Sequence, residues 1–220
     1  MSKKTPGVRR RSPRVEKKWE QARREILEIA RNILREGGIE AVTLASVAAR
    51  LGMTKQALYH YFPSKEALVR SLVTNLLDHE IEMLVASIRE SGSVEDTLGT
   101  LIRAFYDHYI TRLNAFRAIY CQSQLYSGPT ASSLDKDTIR EEINPRTRHL
   151  FDVLEARIAD SDMSKAERQR MRQLAFTAWL SALGLLTMLS VADATNDPLL
   201  HSDQDLLSTL SRVFDAAAKH

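Results

Sequence analysis

The fold of this 220-residue chain is decided by residues 43–65, TLASVAARLGMTKQALYHYFPSK. Leu44, Val47, Ala48 and Leu51 fall at i, i+3, i+4 and i+7, the spacing of one helix face. Gly52 follows, where a left-handed residue ends a helix without a Cβ penalty. Thr54 can cap a second helix over Lys55 to about Phe62, with Leu58 and Phe62 on its inner side. Pro63 breaks that run and Ser64 can cap the next helix. Two short helices about a glycine turn are an αα-hairpin. With the second helix free to enter a major groove, they are also the helix-turn-helix of DNA-binding proteins.

Charge around this stretch favours the second reading. Residues 1–70 carry 16 Lys+Arg against 7 Asp+Glu, and residues 71–220 carry 15 against 21. A basic third that contains the helix pair is the footprint of a polyanion binder, and the acidic remainder is unsuited to DNA. The whole-chain net charge of +3 conceals this division. The single cysteine, Cys121, excludes an intramolecular disulfide and fits a reducing cytoplasm. The basic N-terminus lacks the apolar run of a signal peptide.

Upstream, residues 1–18 hold eight basic side chains, one acid, and Pro6, Gly7 and Pro13. They read as a disordered basic arm, either merely solubilising or following phosphates into a neighbouring groove. A first long helix is expected over Trp19–Glu36, ended by Gly37-Gly38. Downstream, a helix from Lys65 to about Arg89 carries Leu68, Leu72, Leu76, His79 and Met83 at recurring spacing. Ser93 and Asp96 resemble a capping box for a helix over Val94 to Thr111. A shorter helix over Leu113–Tyr126 and a loop over 127–133 come next. A further helix, whose ordered start lies nearer Asn144 because of Pro145, runs to about Ala159. Ser164 and Glu167 form a capping box for a helix reaching about Ala192, and Ser202 and Asp205 open the last one. Leu174–Ala192 holds no charge over 19 residues, close to the about 20 of a bilayer span. The charged turns just before it and its Thr, Ser and Gly residues favour a buried helix of a soluble domain instead. The expected architecture is all-α, with about nine helices.

The residues TLASVAARLGMTKQALYHYFPSKEAL resemble the DNA-binding segment of the TetR/AcrR family of bacterial repressors. The marks are the opening Thr, the Val-Ala pair, Leu-Gly at the turn, the Leu-Tyr-aromatic-Phe of the recognition helix, and the Lys opening the next helix. The resemblance extends from about Gln21 to about Leu77. Ser46 departs from it, standing where the family often has an acidic residue that closes a capping box. The resemblance implies a three-helix DNA-binding domain over 19–66 and a helical effector-binding and dimerisation domain over 67–220. The second domain matches in helix number and order, without a specific motif.

Chemistry assigns roles within the recognition helix. Lys55 can donate to guanine O6 and N7, and Gln56 can bond bidentately to adenine. Tyr59, His60 and Lys65 suit phosphates, as does Thr43 by resemblance, and Thr54 stands at the same DNA-facing end. Tyr61 suits either a DNA contact or an inward position. One such helix covers few base pairs, so a second copy held about 34–36 Å away, or a multiple of that, is required for a palindromic operator. The last two long helices are the expected dimer surface, with Leu183, Leu186, Leu206, Leu210 and Phe214 as candidates. Phe105, Tyr109, Tyr120, Gln124, Phe176 and Trp179 are candidate liners of an apolar effector pocket. No metal-ligand spacing or phosphate loop is present, and no cofactor or metal is expected.

The sequence therefore points to a cytoplasmic, homodimeric transcription regulator with no membrane or catalytic role, a repressor released from its operator by a small molecule. The alternatives are an architectural DNA-binding protein without an effector, and a helical enzyme using Cys121.

Overall fold

The computed structural model describes residues 12–94, 96–121, 136–159, 161–196 and 201–219. Their regular structure is entirely helical. Two compact units divide between Leu72 and Val73, inside one helix.

In the first unit, α1 spans Pro13–Gly37. It starts six residues before the expected Trp19. Ser12 takes the N-cap position, and Pro13 follows at the one turn where its missing N–H leaves no bond unmade. Only residues 1–11 of the expected arm remain outside the description. Ile26, Ala30, Ile33 and Leu34 form the buried stripe of α1. Gly38, at φ 72°, ends it, its amide bonded to the Leu34 carbonyl. A 3-10 turn, Ile39–Ala41, leads to α2, Leu44–Leu51, and α3, Lys55–Tyr59. Val42, Leu44, Val47, Ala48, Leu58 and Phe62 close the small core with Leu68, Val69 and Leu72 from the start of α4, Lys65–Glu90.

The second unit contains the rest of α4 with α5 (Thr97–Ile110) and α6 (Leu113–Phe116), which continues as a π turn over Arg117–Cys121. Then come α7 (Asn144–Ala159), α8 (Lys165–Thr195) and α9 (Asp203–Lys219). The α5 helix starts three residues later than expected, at Thr97, because Ser93 accepts from the Asp96 amide in the preceding turn. A π stretch, Ile139–Ile143, precedes α7 and accommodates Pro145 at its second position. The Ser164–Glu167 capping box forms, and Asn196, left-handed at φ 53°, ends α8. Ser202 accepts from the Asp205 amide at the start of α9. The expected loop over 127–133 lies outside the described residues.

The stripe expected along α4 holds only for its first half. Leu68 and Leu72 are buried, but His79 is exposed, and Leu76 and Met83 are half-buried. The inward face from Val73 onward is Leu77, Glu80, Ile81, Leu84, Val85 and Ile88. The successive four-residue steps Leu68, Leu72 and Leu76 drift around a helix of 3.6 residues per turn, which carries the expected stripe off the inward face by Leu76.

α8 packs on α5, α7 and α9. Met171, Ala175, Ala178, Ala182, Leu186 and Leu189 turn inward, and their small side chains allow close helix approach. This helix is long and apolar enough to cross a membrane by length and composition. Its apolar character is nevertheless divided between a packed face and an exposed one. Phe176, Leu180, Met188 and Val191 stand 46–58% exposed in the single chain. On α9, Leu207, Ser211, Phe214 and Ala218 are buried, while Val213 is 58% exposed. Leu186 and Phe214, expected at a dimer surface, therefore belong to the chain's own core. Leu183, Leu206 and Leu210 are half-buried.

Candidate nucleic-acid interface and effector core

The recognition helix is short, and its position depends on its ends. Thr43 and Ser46 make a reciprocal capping box: the Ser46 amide donates to Thr43 Oγ1 at 3.0 Å, and the Thr43 amide to Ser46 Oγ at 3.0 Å. Ser46 thus closes the box without a carboxylate, and its own hydroxyl donates onward to the Ala41 carbonyl at 2.8 Å. Gly52 adopts φ 64°, ψ 25°, and its amide and that of Met53 satisfy the end of α2. Thr54 Oγ1 then accepts from the Ala57 amide at 3.2 Å.

The caps commit the hydroxyls of Thr43 and Thr54 to the backbone. Lys55, Gln56, Tyr59 and His60 are exposed, while Leu58 among them is buried. The Lys55 ammonium stands 5.8 Å from the Tyr59 ring centre. Lys65 is half-buried and pairs with Glu40 at 3.4 Å. Tyr61 turns inward and stacks on Trp19 with ring centres 6.1 Å apart. Arg50, on α2, forks onto the Glu36 carboxylate. That pairing holds the Glu36 carboxyl below its ordinary range.

Sequence reasoning missed Arg23. Its guanidinium donates to the Tyr61 carbonyl at 2.5 Å and to Ser71 Oγ at 3.2 Å. It also lies 4.1 Å from the Phe62 ring centre and 4.8 Å from that of Trp19. Spacing along α1 could not reveal partners 38 and 48 residues away.

In the second unit the candidate effector residues part company. Phe105 and Trp179 line an apolar cavity of about 20 Å³ with Leu84, Leu154 and Ala182, room for a single water molecule. Phe176 is half exposed and faces outward, contrary to expectation. Gln124 lies outside the described residues. Tyr109 and Tyr120 have a task the sequence did not suggest: their hydroxyls donate to the two oxygens of buried Glu80. Phe105 and Phe116 pack against both rings. Burial pushes the Glu80 carboxyl up to about 7, outweighing the two phenol bonds that oppose the shift. Burial likewise raises both phenols and, aided by Arg112 and His79, draws His108 down to about 4. Burial also raises the Cys121 thiol, which disfavours the thiolate a nucleophile requires.

Residues 26–72 match the family model described as bacterial regulatory proteins, tetR family. Over 167 residues the chain is 28% identical to the HTH-type transcriptional repressor KstR2 of Rhodococcus jostii, covering 72% of this chain and 77% of that protein. It is 32% identical over 76 residues to the nucleoid occlusion factor SlmA of Pasteurella multocida. That match covers 34% of this chain and only 38% of SlmA. The crystal structure of FadR from Bacillus subtilis, in complex with stearoyl-CoA, superposes with a TM-score of 0.61 at 15% identity, over 88% of this chain and 97% of that one.

Proposed function

We propose that this chain, a transcriptional regulator of the tetR family of bacterial regulatory proteins, is a cytoplasmic, homodimeric repressor that a small effector releases from a palindromic operator. The observation that carries the DNA reading is the presentation of Lys55 and Gln56. Both are exposed at the start of a helix that follows the left-handed Gly52 turn and begins at the Thr54 cap. Lys55 and Gln56 meet base edges, and Tyr59, His60 and Lys65 meet phosphates. Thr43 and Thr54 support the site chiefly as caps.

The exposed apolar faces of α8 and α9 support self-association. From Phe176 to Val191 the stripe runs about 22 Å at 1.5 Å per residue, with no charged side chain within it. Two copies related by a two-fold axis would cover Leu180, Met188 and Val213, with Leu183, Leu206 and Leu210 at the margins. This surface also accounts for the uncharged run of α8 without a bilayer.

The effector reading draws on the aromatic interior of the second unit and on the relatives: KstR2 is a repressor, and FadR binds stearoyl-CoA. The cavity of about 20 Å³ beside Phe105 and Trp179 admits no such molecule, so an effector that enters there requires that part of the core to open. Release then follows from the effector's higher affinity for a state that holds DNA less well.

The test is selection of duplexes from a random-sequence pool, followed by titration of variants. A palindromic consensus is expected. Lys55→Ala and Gln56→Ala should each relax preference at one base position by about 1–3 kcal/mol. Lys65→Ala should weaken all duplexes alike and reduce the salt slope by about one. Equal losses on selected and random DNA for all three variants would refute this division of roles.

A further inference from the structure

We propose that Arg23 is a positioning residue for the recognition helix: it sets the angle at which α3 is presented, without itself touching DNA. The inference rests on the DNA-binding reading above and adds a residue that reading does not use.

α3 has five residues, too few to be stable alone. At its start it has the Thr54 cap. At its end the Leu58 carbonyl already serves the Tyr61 and Phe62 amides, at 3.0 Å each. Beyond the helix end, the Tyr61 carbonyl receives the Arg23 guanidinium. A cation at a helix C-terminus also opposes the negative end of the helix dipole. The second arm of the fork reaches Ser71 on α4, so one rigid planar group joins α1, the end of α3 and α4. Its faces are held by Phe62 and Trp19, and Trp19 in turn stacks on Tyr61.

Among the described residues no carboxylate pairs with Arg23, so its fork serves a carbonyl and a hydroxyl. A lysine could not do the same: its point charge lacks the fixed geometry of two donors. Phe62 and Leu58 are the only fully buried side chains between Thr54 and Pro63. They hold α3 against the core along one line of contact. The Tyr61 carbonyl lies beyond the helix end, where a tether has the most leverage on Lys55 and Gln56.

The test compares Arg23→Ala and Arg23→Lys with the wild type, each full length and confirmed folded by circular dichroism at the assay temperature. Two duplexes are titrated across a salt series: one selected by the wild type from a random pool, and one of scrambled sequence. Both variants should lose at least tenfold in affinity for the selected duplex, while affinity for the scrambled duplex and its salt slope stay within twofold. Amide exchange at residues 57–62 should quicken at least tenfold, with the amides of α1 unchanged. An equal loss on both duplexes with a smaller salt slope would make Arg23 a phosphate contact and overturn the proposal. Full retention by Arg23→Lys of both affinity and exchange protection would overturn the geometric role. A wild type that selects no duplex would defeat the DNA reading itself. The exchange measurement would then still decide whether Arg23 holds the helix.

Discussion

Glu80 sits on the inward face of α4 between Leu77 and Leu84, a position that a helical pattern reserves for an apolar residue. Two tyrosine hydroxyls satisfy its oxygens, yet burial keeps it protonated up to about 7, against 4.5 for a free side chain. The raised pKa has a definite sign. Between pH 4.5 and 7 the folded chain keeps a proton that the unfolded chain has released, so stability falls as pH rises through that window. The loss approaches about 3 kcal/mol. Glu80→Gln keeps the size and one accepting oxygen for a tyrosine hydroxyl but removes the titration. Its melting temperature should therefore decline less than that of the wild type between pH 5 and 8. Parallel curves for the two proteins would assign the pH dependence to other groups, such as His108 beside Tyr109. Neither Glu80 nor Arg23 was visible as a site in the sequence, since a lone acid or base within a helix usually marks a solvated face. The Thr43–Ser46 box was visible in part: Thr43 was expected to open the helix, and the structure shows the Ser46 hydroxyl closing the box.

Among the elements, α5 and α9 show how side chains far apart in sequence set helix approach. Asp215 on α9 accepts the Gly99 amide at 3.0 Å, and Tyr106 donates to Asp203 at the other end of the contact. A Cβ at Gly99 would stand 2.3 Å from the Asp215 carboxylate, so α5 accepts no side chain there. Gly99→Ala should lower stability by about 1–3 kcal/mol through that overlap. In an Asp215→Ala background the obstruction is gone, and the same change should be neutral or stabilising by up to about 1 kcal/mol, the helix preference of Ala over Gly. Urea denaturation of the four proteins closes this cycle. Equal costs in both backgrounds would show that Asp215 is not what excludes the side chain. The starts of α2, α8 and α9 were legible because their caps are local, three residues apart, whereas α8 runs past the expected Ala192 to Thr195. The boundary of α1 was misjudged because Pro13 reads as a breaker until Ser12 places it at the first helical turn.

For the whole molecule, the open question at the level of sequence was which apolar residues of α8 and α9 serve the chain itself and which face outward. Met188 and Val213 face outward; Leu186 and Phe214 do not. Met188→Glu should leave the melting temperature of the isolated chain nearly unchanged, yet give monomers on a sizing column and lose operator affinity. Leu186→Glu should unfold the chain, because it buries an unpaired charge. A Met188→Glu protein that remains dimeric would remove this face of α8 from the interface. By itself the sequence determined the all-helical class, the helix-turn-helix and the separation of basic and acidic charge. These are properties of spacing, caps and composition within a few turns of chain. Only the tertiary structure decided the faces of α8, the burial of Glu80 and the tether from Arg23 to α3. A helix that is apolar all round carries no periodicity to say which side is covered. The partners of Glu80 and Arg23 lie 29 to 48 residues away, where only packing brings them together.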